Sequence, residues 1–204
     1  MNKTQTAKTL VESVVRRMIG LMILHPGNLE LNVVPGEMIV SVKIRAHLAD
    51  TGRIVGQGGA NFKPMSTLLG MIGEKLGVKV NLKRIADPVV GQKEFHKFTP
   101  RADWKREEIS ALIFTLCVAV FEEPIEVTAI DQSDGVTTLF MIKLSGHEKT
   151  AKVASFFECL DPLLNSIGMA NGRILELDIR HDPTGAEPVQ PEAADGRYAV
   201  AAER

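Results

Sequence analysis

Between Thr4 and Leu24, apolar residues recur at intervals of three and four. Leu10, Val14, Val15, Met18, Leu21 and Met22 form one stripe, and Arg16 and Arg17 fall off it. That spacing predicts an amphipathic helix, broken by His25-Pro26-Gly27-Asn28 because proline cannot continue the ladder. The period then drops to two. Leu29 to Val33 alternates, Pro35-Gly36 turns the chain, and Met38 to Ile44 alternates again, with Val40, Val42 and Ile44 on one face and Ile39, Ser41 and Lys43 on the other. Two such runs around a Pro-Gly turn predict an antiparallel hairpin. Ala49-Asp50-Thr51 offers a helix cap, Asp50 or Thr51, for the short segment Gly52 to Val55. A longer helix is predicted over 60–76, with Phe62, Met65, Leu68, Leu69 and Ile72 at helical spacing and Gly77 as its stop. Val78 to Lys83 alternates once more, with Val78, Val80 and Leu82 inward and Lys79, Asn81 and Lys83 outward.

Beyond a connector with two prolines, from Asp87 to Trp104, the pattern starts afresh. Ile109, Leu112, Ile113, Leu116, Cys117, Val120 and Phe121 predict a helix over 105–121. Pro124 follows it, as Pro26 follows the first helix. Strands are predicted over 125–130 and 137–144 around Asp134-Gly135, then a helix over 149–167 and a strand over 174–179. The first half therefore reads α-β-β-α-α-β and the second α-β-β-α-β, a degenerate internal repeat without the short helix. The expected fold class is α/β of the α+β kind, with units at 1–86 and 105–181 joined by a linker at 87–104. A tail at 182–204, rich in proline, alanine and acidic residues, is expected to be disordered because it cannot bury a core. The helix over 109–121 also carries Ala111, Phe114, Val118 and Ala119. It is apolar almost all round, which implies burial on more than one face, by the first half or by another subunit.

With 45 % hydrophobic and 24 % charged residues among 204, the composition is that of an ordinary globular chain. The net charge of −1 argues against a nucleic-acid partner until the halves are separated. Residues 1–86 hold 12 Lys/Arg against 5 Asp/Glu, whereas residues 107–204 hold 7 against 17. A basic first half suggests a polyanion partner for it, although two soluble domains can differ in charge by chance. The two cysteines, Cys117 and Cys159, lie far apart in apolar runs without metal-ligand spacing, as in a reduced protein. No apolar signal core follows Met1, and the longest apolar run, 109–121, falls short of the ~20 residues a spanning helix needs. These features lead us to expect a soluble cytoplasmic protein with no membrane contact.

The candidate chemistry lies in Gly52-Arg53-Ile54-Val55-Gly56-Gln57-Gly58-Gly59, just ahead of a helix N-terminus. Free amides and the positive end of the helix dipole point outward there. Glycines without Cβ atoms let a sugar-phosphate backbone approach the main chain. In this reading the amides of Gly58 and Gly59 hold phosphates, with Arg53, Asn61 and Lys63 adding charge and hydrogen bonds. Ile54 and Val55 would wall an apolar groove for unstacked bases. The alternative is a tight helix-helix turn with no ligand. The missing Gly-Lys-Ser/Thr argues against a nucleotide phosphate loop, and a dinucleotide fold fails because the loop follows a short helix rather than a strand.

This stretch resembles a KH domain of the type II topology, and especially the small bacterial single-domain KH proteins. The resemblance rests on His25-Pro26, on Asp50-Thr51-Gly52-Arg53-Ile54-Val55-Gly56-Gln57-Gly58-Gly59, on Leu68-Leu69-Gly70 and on the basic strand from Val78 to Arg84. It covers roughly residues 7–85 and implies a type II KH domain (αββααβ) followed by a degenerate KH-like unit (αββαβ). It also implies binding of single-stranded RNA, such as mRNA, or of single-stranded DNA, clamped over about four nucleotides, without catalysis or a cofactor. One departure stands out. The family often carries Lys or Arg between the outer glycines, where Gln57 and Gly58 are neutral, so flanking cations matter more here.

Weaker signals complete the picture. Lys93 to Phe98 with Arg101 and Trp104 interleaves aromatics and cations as single-strand binding surfaces do, but aromatics pinning a connector to a core are commoner. The five histidines lack metal-ligand spacing. No nucleophile-base set or carboxylate pair stands out, so an enzyme is not expected. The competing function is a protein-protein adaptor that keeps the KH fold without RNA. A protein partner or homo-oligomer would then form through the second half.

Overall fold

The computed structural model describes residues 3–84, 105–121, 125–145 and 151–182. The connector at 87–104, with its aromatic-basic segment, and the tail beyond Asp182 lie outside the described residues. The first half comprises α1 (Lys3–Met22), β1 (Glu30–Pro35), β2 (Ile39–Arg45), α2 (Leu48–Val55), α3 (Phe62–Leu76) and β3 (Lys79–Arg84). The second comprises α4 (Arg106–Val120), β4 (Ile125–Asp131), β5 (Thr137–Ser145), α5 (Ala151–Asn171) and β6 (Ile174–Asp182). The expected order of elements is present throughout, and the fold is α+β.

Each half builds one three-stranded mixed sheet. In the first, β1 pairs antiparallel with β2, and β2 pairs parallel with β3. The second repeats this as β4-β5-β6. The alternation read from the sequence sets the faces: Val40, Val42, Ile44 and Leu82 are buried, while Lys43, Lys79 and Lys83 are exposed. The repeat extends to single hydrogen bonds. The Val78 amide donates to the Gly73 carbonyl and the Arg173 amide to the Gly168 carbonyl, both at 2.8 Å. Left-handed glycines follow α3 and α5 at Gly77 (φ 67°) and Gly172 (φ 65°), as expected where a helix must reverse into a strand.

The halves meet through their helices, with the sheets outside. α3 and α5 cross antiparallel, so Asn61 at the start of α3 meets Ser166 late in α5, and Thr67 meets Cys159. Lys75 near the end of α3 donates to the carbonyls of Val118 (2.9 Å) and Phe121 (2.6 Å) that close α4. Reciprocally, Asn171 at the end of α5 donates to the Leu21 carbonyl near the end of α1 (3.3 Å). α1 and α4 pack on each other across the same centre. The two halves are thus related by an approximate two-fold axis, and one core runs through both, from Val11, Met18 and Leu69 to Leu116, Phe156 and Leu164.

α4 packs on β4 and on α1 and α3 of the first half. Ile109, Leu112, Ile113, Leu116 and Cys117 are buried, while Phe114 and Val118 stay 46 % and 45 % exposed in a depression shared with Leu10 and Leu76. Among the described residues, no helix is long and apolar enough to cross a membrane.

Candidate nucleic-acid interface

The glycine loop forms because two short helical elements must change direction within four residues. α2 ends at Val55. Gly56 takes φ 72° and ψ 163°, Gly58 φ 62° and ψ 15°, and Gly59 φ 87°. These left-handed values disfavour side chains, and at Gly56 space adds a second constraint. A Cβ there would lie 2.8 Å from the Asn61 nitrogen and 3.0 Å from Asn61 Cγ. At Gly58 a Cβ would point into open space.

The loop uses several of its own amides. Gly56 donates to the Gly52 carbonyl (2.8 Å), Gly59 to Gly56 (3.1 Å), Ala60 to Gln57 (3.2 Å) and Asn61 to Val55 (3.1 Å). The amides of Gln57 and Gly58 are left without a backbone acceptor among the described residues, and both residues are exposed. The expectation that Gly58 and Gly59 act together is therefore corrected. Gly59 closes a tight turn, and the adjacent free pair is Gln57 with Gly58. Two consecutive amides in a glycine turn form an anion-accepting concavity, and this turn directly precedes the 15-residue helix α3, whose N-terminus carries the positive end of its dipole.

The other expected residues divide. Lys63 is exposed, and its aliphatic stem lies along the loop, 3.6–3.9 Å from where a Gly59 Cβ would stand. Arg53 is half-buried in the last turn of α2. Val55 is half-buried beside the loop and offers partial apolar surface. Ile54 is only 2 % exposed and belongs to the core, so it cannot wall an open groove. Asn61 is 5 % exposed, and both ends of its amide are committed: Nδ2 donates to the Arg53 carbonyl (2.6 Å), and Oδ1 accepts from the Ser166 hydroxyl (2.7 Å). It acts as a brace rather than a ligand contact. Its contact with Ser166 lies 105 positions away in sequence, beyond the reach of any local signal.

Asp50 is the residue that sequence reasoning misjudged most. Helix α2 is capped instead by His47, whose Nδ1 accepts from the Ala49 amide (3.3 Å). Asp50 sits inside α2, fully buried. Its Oδ1 accepts from the Leu24 amide (2.8 Å), and its Oδ2 accepts from the His25 amide (2.9 Å) and lies 3.0 Å from His25 Nδ1. The carboxylate thus ties the His25-Pro26 break to the helix that carries the loop. This also brings His25, His47 and Asp50 within 4.8 Å of one another, which histidine spacing did not suggest. With the Asp50 oxygens taken by backbone amides and His47 Nδ1 serving as a cap, the set is built as a clamp. Comparison with protein-family models, with curated proteins and with solved structures finds no significant match.

Proposed function

We propose that the first half is a KH-type module that holds single-stranded RNA at the glycine loop, without catalysis. One observation carries this reading: the adjacent, exposed residues Gln57 and Gly58 in a glycine turn ahead of α3 leave their amides without a backbone acceptor among the described residues, with the Lys63 stem against neighbouring Gly59. Phosphate oxygens accept from the Gln57 and Gly58 amides, Lys63 and Arg53 supply charge, and Val55 meets the sugar or base. The element order β1-β2-β3 with α2 and α3 around the loop agrees with the type II arrangement. The buried Asp50 gives the Asp-Thr-Gly-Arg run a structural reason of its own. The loop's neutral tip makes the contact weak and dependent on flanking cations.

The test is Gln57→Asp with Gly58→Asp. Two carboxylates at the amide pair repel phosphate, and the left-handed Gly58 site accepts an aspartate at about 1–2 kcal/mol. Affinity for a short oligouridylate should fall more than tenfold while the circular dichroism spectrum is retained. Unchanged affinity rejects the loop as the site. An adaptor role has one observation in its favour, the shallow apolar depression lined by Leu10, Leu76, Phe114 and Val118. Phosphate contacts weaken steeply as salt rises, so salt-insensitive binding to a protein partner would favour the adaptor.

A further inference from the structure

We infer that the outward face of the first sheet is a second nucleic-acid surface, one that grips the phosphates of a longer single strand without reading bases. The registers place the side chains. Asn32, Lys43 and Lys83 share one row across β1, β2 and β3, while Val34, Ser41 and Asn81 share the next. Glu30 and Arg45 flank them on one side, and Ile39 and Lys79 on the other. Lys43, Lys79 and Lys83 are exposed and form no ion pair among the described residues. Glu30 is the one carboxylate among the described residues of this face, and it reaches only Arg45, at 3.5 Å. The Arg45 Nε is buried with no acceptor.

Two physical points favour an anionic strand. Like charges directly opposite on neighbouring strands are destabilising, yet Lys43 faces Lys83 with no acid between them. A polyphosphate would relieve that repulsion. The apolar residues of this face, Val34 on the edge strand β1 and Ile39 at the start of β2, lie at its margin, whereas protein interfaces rely on an apolar centre. Between the cations the face offers Asn32, Ser41 and Asn81 as hydrogen-bonding groups. No aromatic stands there to stack a base, so the grip is independent of sequence. The second sheet shows that this is no necessity of the fold. Its matching rows are Thr128-Met141-Asp178 and Ile130-Leu139-Glu176, apolar and acidic. β3 is an edge strand, and α3, which begins at the glycine loop, packs on its inner side through Gly73 against Val78 and Val80. The outward face lies on the side of the sheet opposite α3 and does not need the loop in order to bind.

The experiment uses the full chain, with 4-nucleotide and 20-nucleotide oligouridylates read by fluorescence anisotropy over a salt series. Lys43→Glu with Lys83→Glu should weaken the 20-mer at least tenfold and leave the 4-mer within twofold. The neutral pair Lys43→Gln with Lys83→Gln provides a second variant should the first fold poorly. It should reduce the slope of log affinity against log salt by about 1.4, two contacts at about 0.7 each for single strands. The inference is overturned if the 20-mer and its slope are unchanged, if the 4-mer is lost equally, or if the wild-type chain binds no 20-mer. Oligoglutamate binding as tight as the 20-mer also overturns it, since the face would then serve an acidic protein. Should Gln57→Asp with Gly58→Asp leave both oligomers unaffected while the lysine variants weaken the 20-mer, the loop reading falls and this one stands.

Discussion

Gly56 and Gly58 both hold positive φ, but for different physical reasons, and substitution separates them. Gly56 combines φ 72° with ψ 163°, a region open essentially to glycine alone, and a Cβ there would press on the Asn61 backbone. Gly58 lies in the ordinary left-handed well with nothing within 4 Å of a Cβ. Gly56→Ala should cost at least about 1–3 kcal/mol, and Gly58→Ala about 1–2 kcal/mol. Urea midpoints would rank them, and a larger loss at Gly58 would contradict the geometry. The cysteines make a second contrast at this scale. Burial pushes the Cys117 thiol up to about 12, so it carries almost no thiolate at neutral pH. Burial also raises Cys159, but that residue keeps partial exposure. A thiol reagent on the native protein should therefore modify at most one cysteine, Cys159, and reach both only after denaturation. Rapid native labelling of Cys117 would show that its helix opens.

At the scale of elements, two contacts decide where the loop stands. The first is the close approach of helix to strand after α3 and α5. A Cβ at Gly73 would lie 2.5 Å from the Val78 carbonyl, and one at Gly168 would lie 2.6 Å from the Arg173 carbonyl. Because backbone cannot give way as a side-chain tip can, Gly73→Ala and Gly168→Ala should each destabilise by about 1–3 kcal/mol through overpacking. Thermal melts showing either variant at wild-type stability would refute that close packing. The second contact is Asp50, joining α2 to the end of α1. Asp50→Ala orphans the amides of Leu24 and His25, at about 1–3 kcal/mol for each. Hydrogen exchange should speed up at those two amides and in α2 before it does so in α5. Unaltered protection would mean that the carboxylate is not the clamp.

In the whole molecule the two halves pack on each other through α1, α3, α4 and α5 around one core. α1 and α3 pack on β1, β2 and β3 on one side and on α4 and α5 on another, so each half alone would expose the part of its core that the other half covers. Equilibrium unfolding should therefore be a single cooperative transition, coincident by fluorescence and circular dichroism. Residues 1–86 expressed alone should not form a folded monomer. They should aggregate, or pair with a second copy across the face that the second half normally covers. Two separated transitions, or a stable monomeric fragment, would show that the halves fold independently. The packing of α5 on α3 places Ser166 against Asn61, so the second half steadies the base of the loop, and Gln57 and Gly58 stay exposed among the described residues.

The period of apolar positions was enough to determine element type and order, the hairpins, the faces of β2 and β3 and the existence of a repeat, because alternation and helical stripes are local consequences of backbone geometry. The glycine loop was legible for the same reason: positive φ is a property of single residues. Tertiary structure alone decided which loop amides stay free, that Ile54 faces the core, and that Asn61 is committed to Ser166. It also decided that Asp50 binds the end of α1 rather than capping its own helix. Each of these depends on a partner brought near by folding, and a side chain's local sequence carries no record of which distant group it will meet.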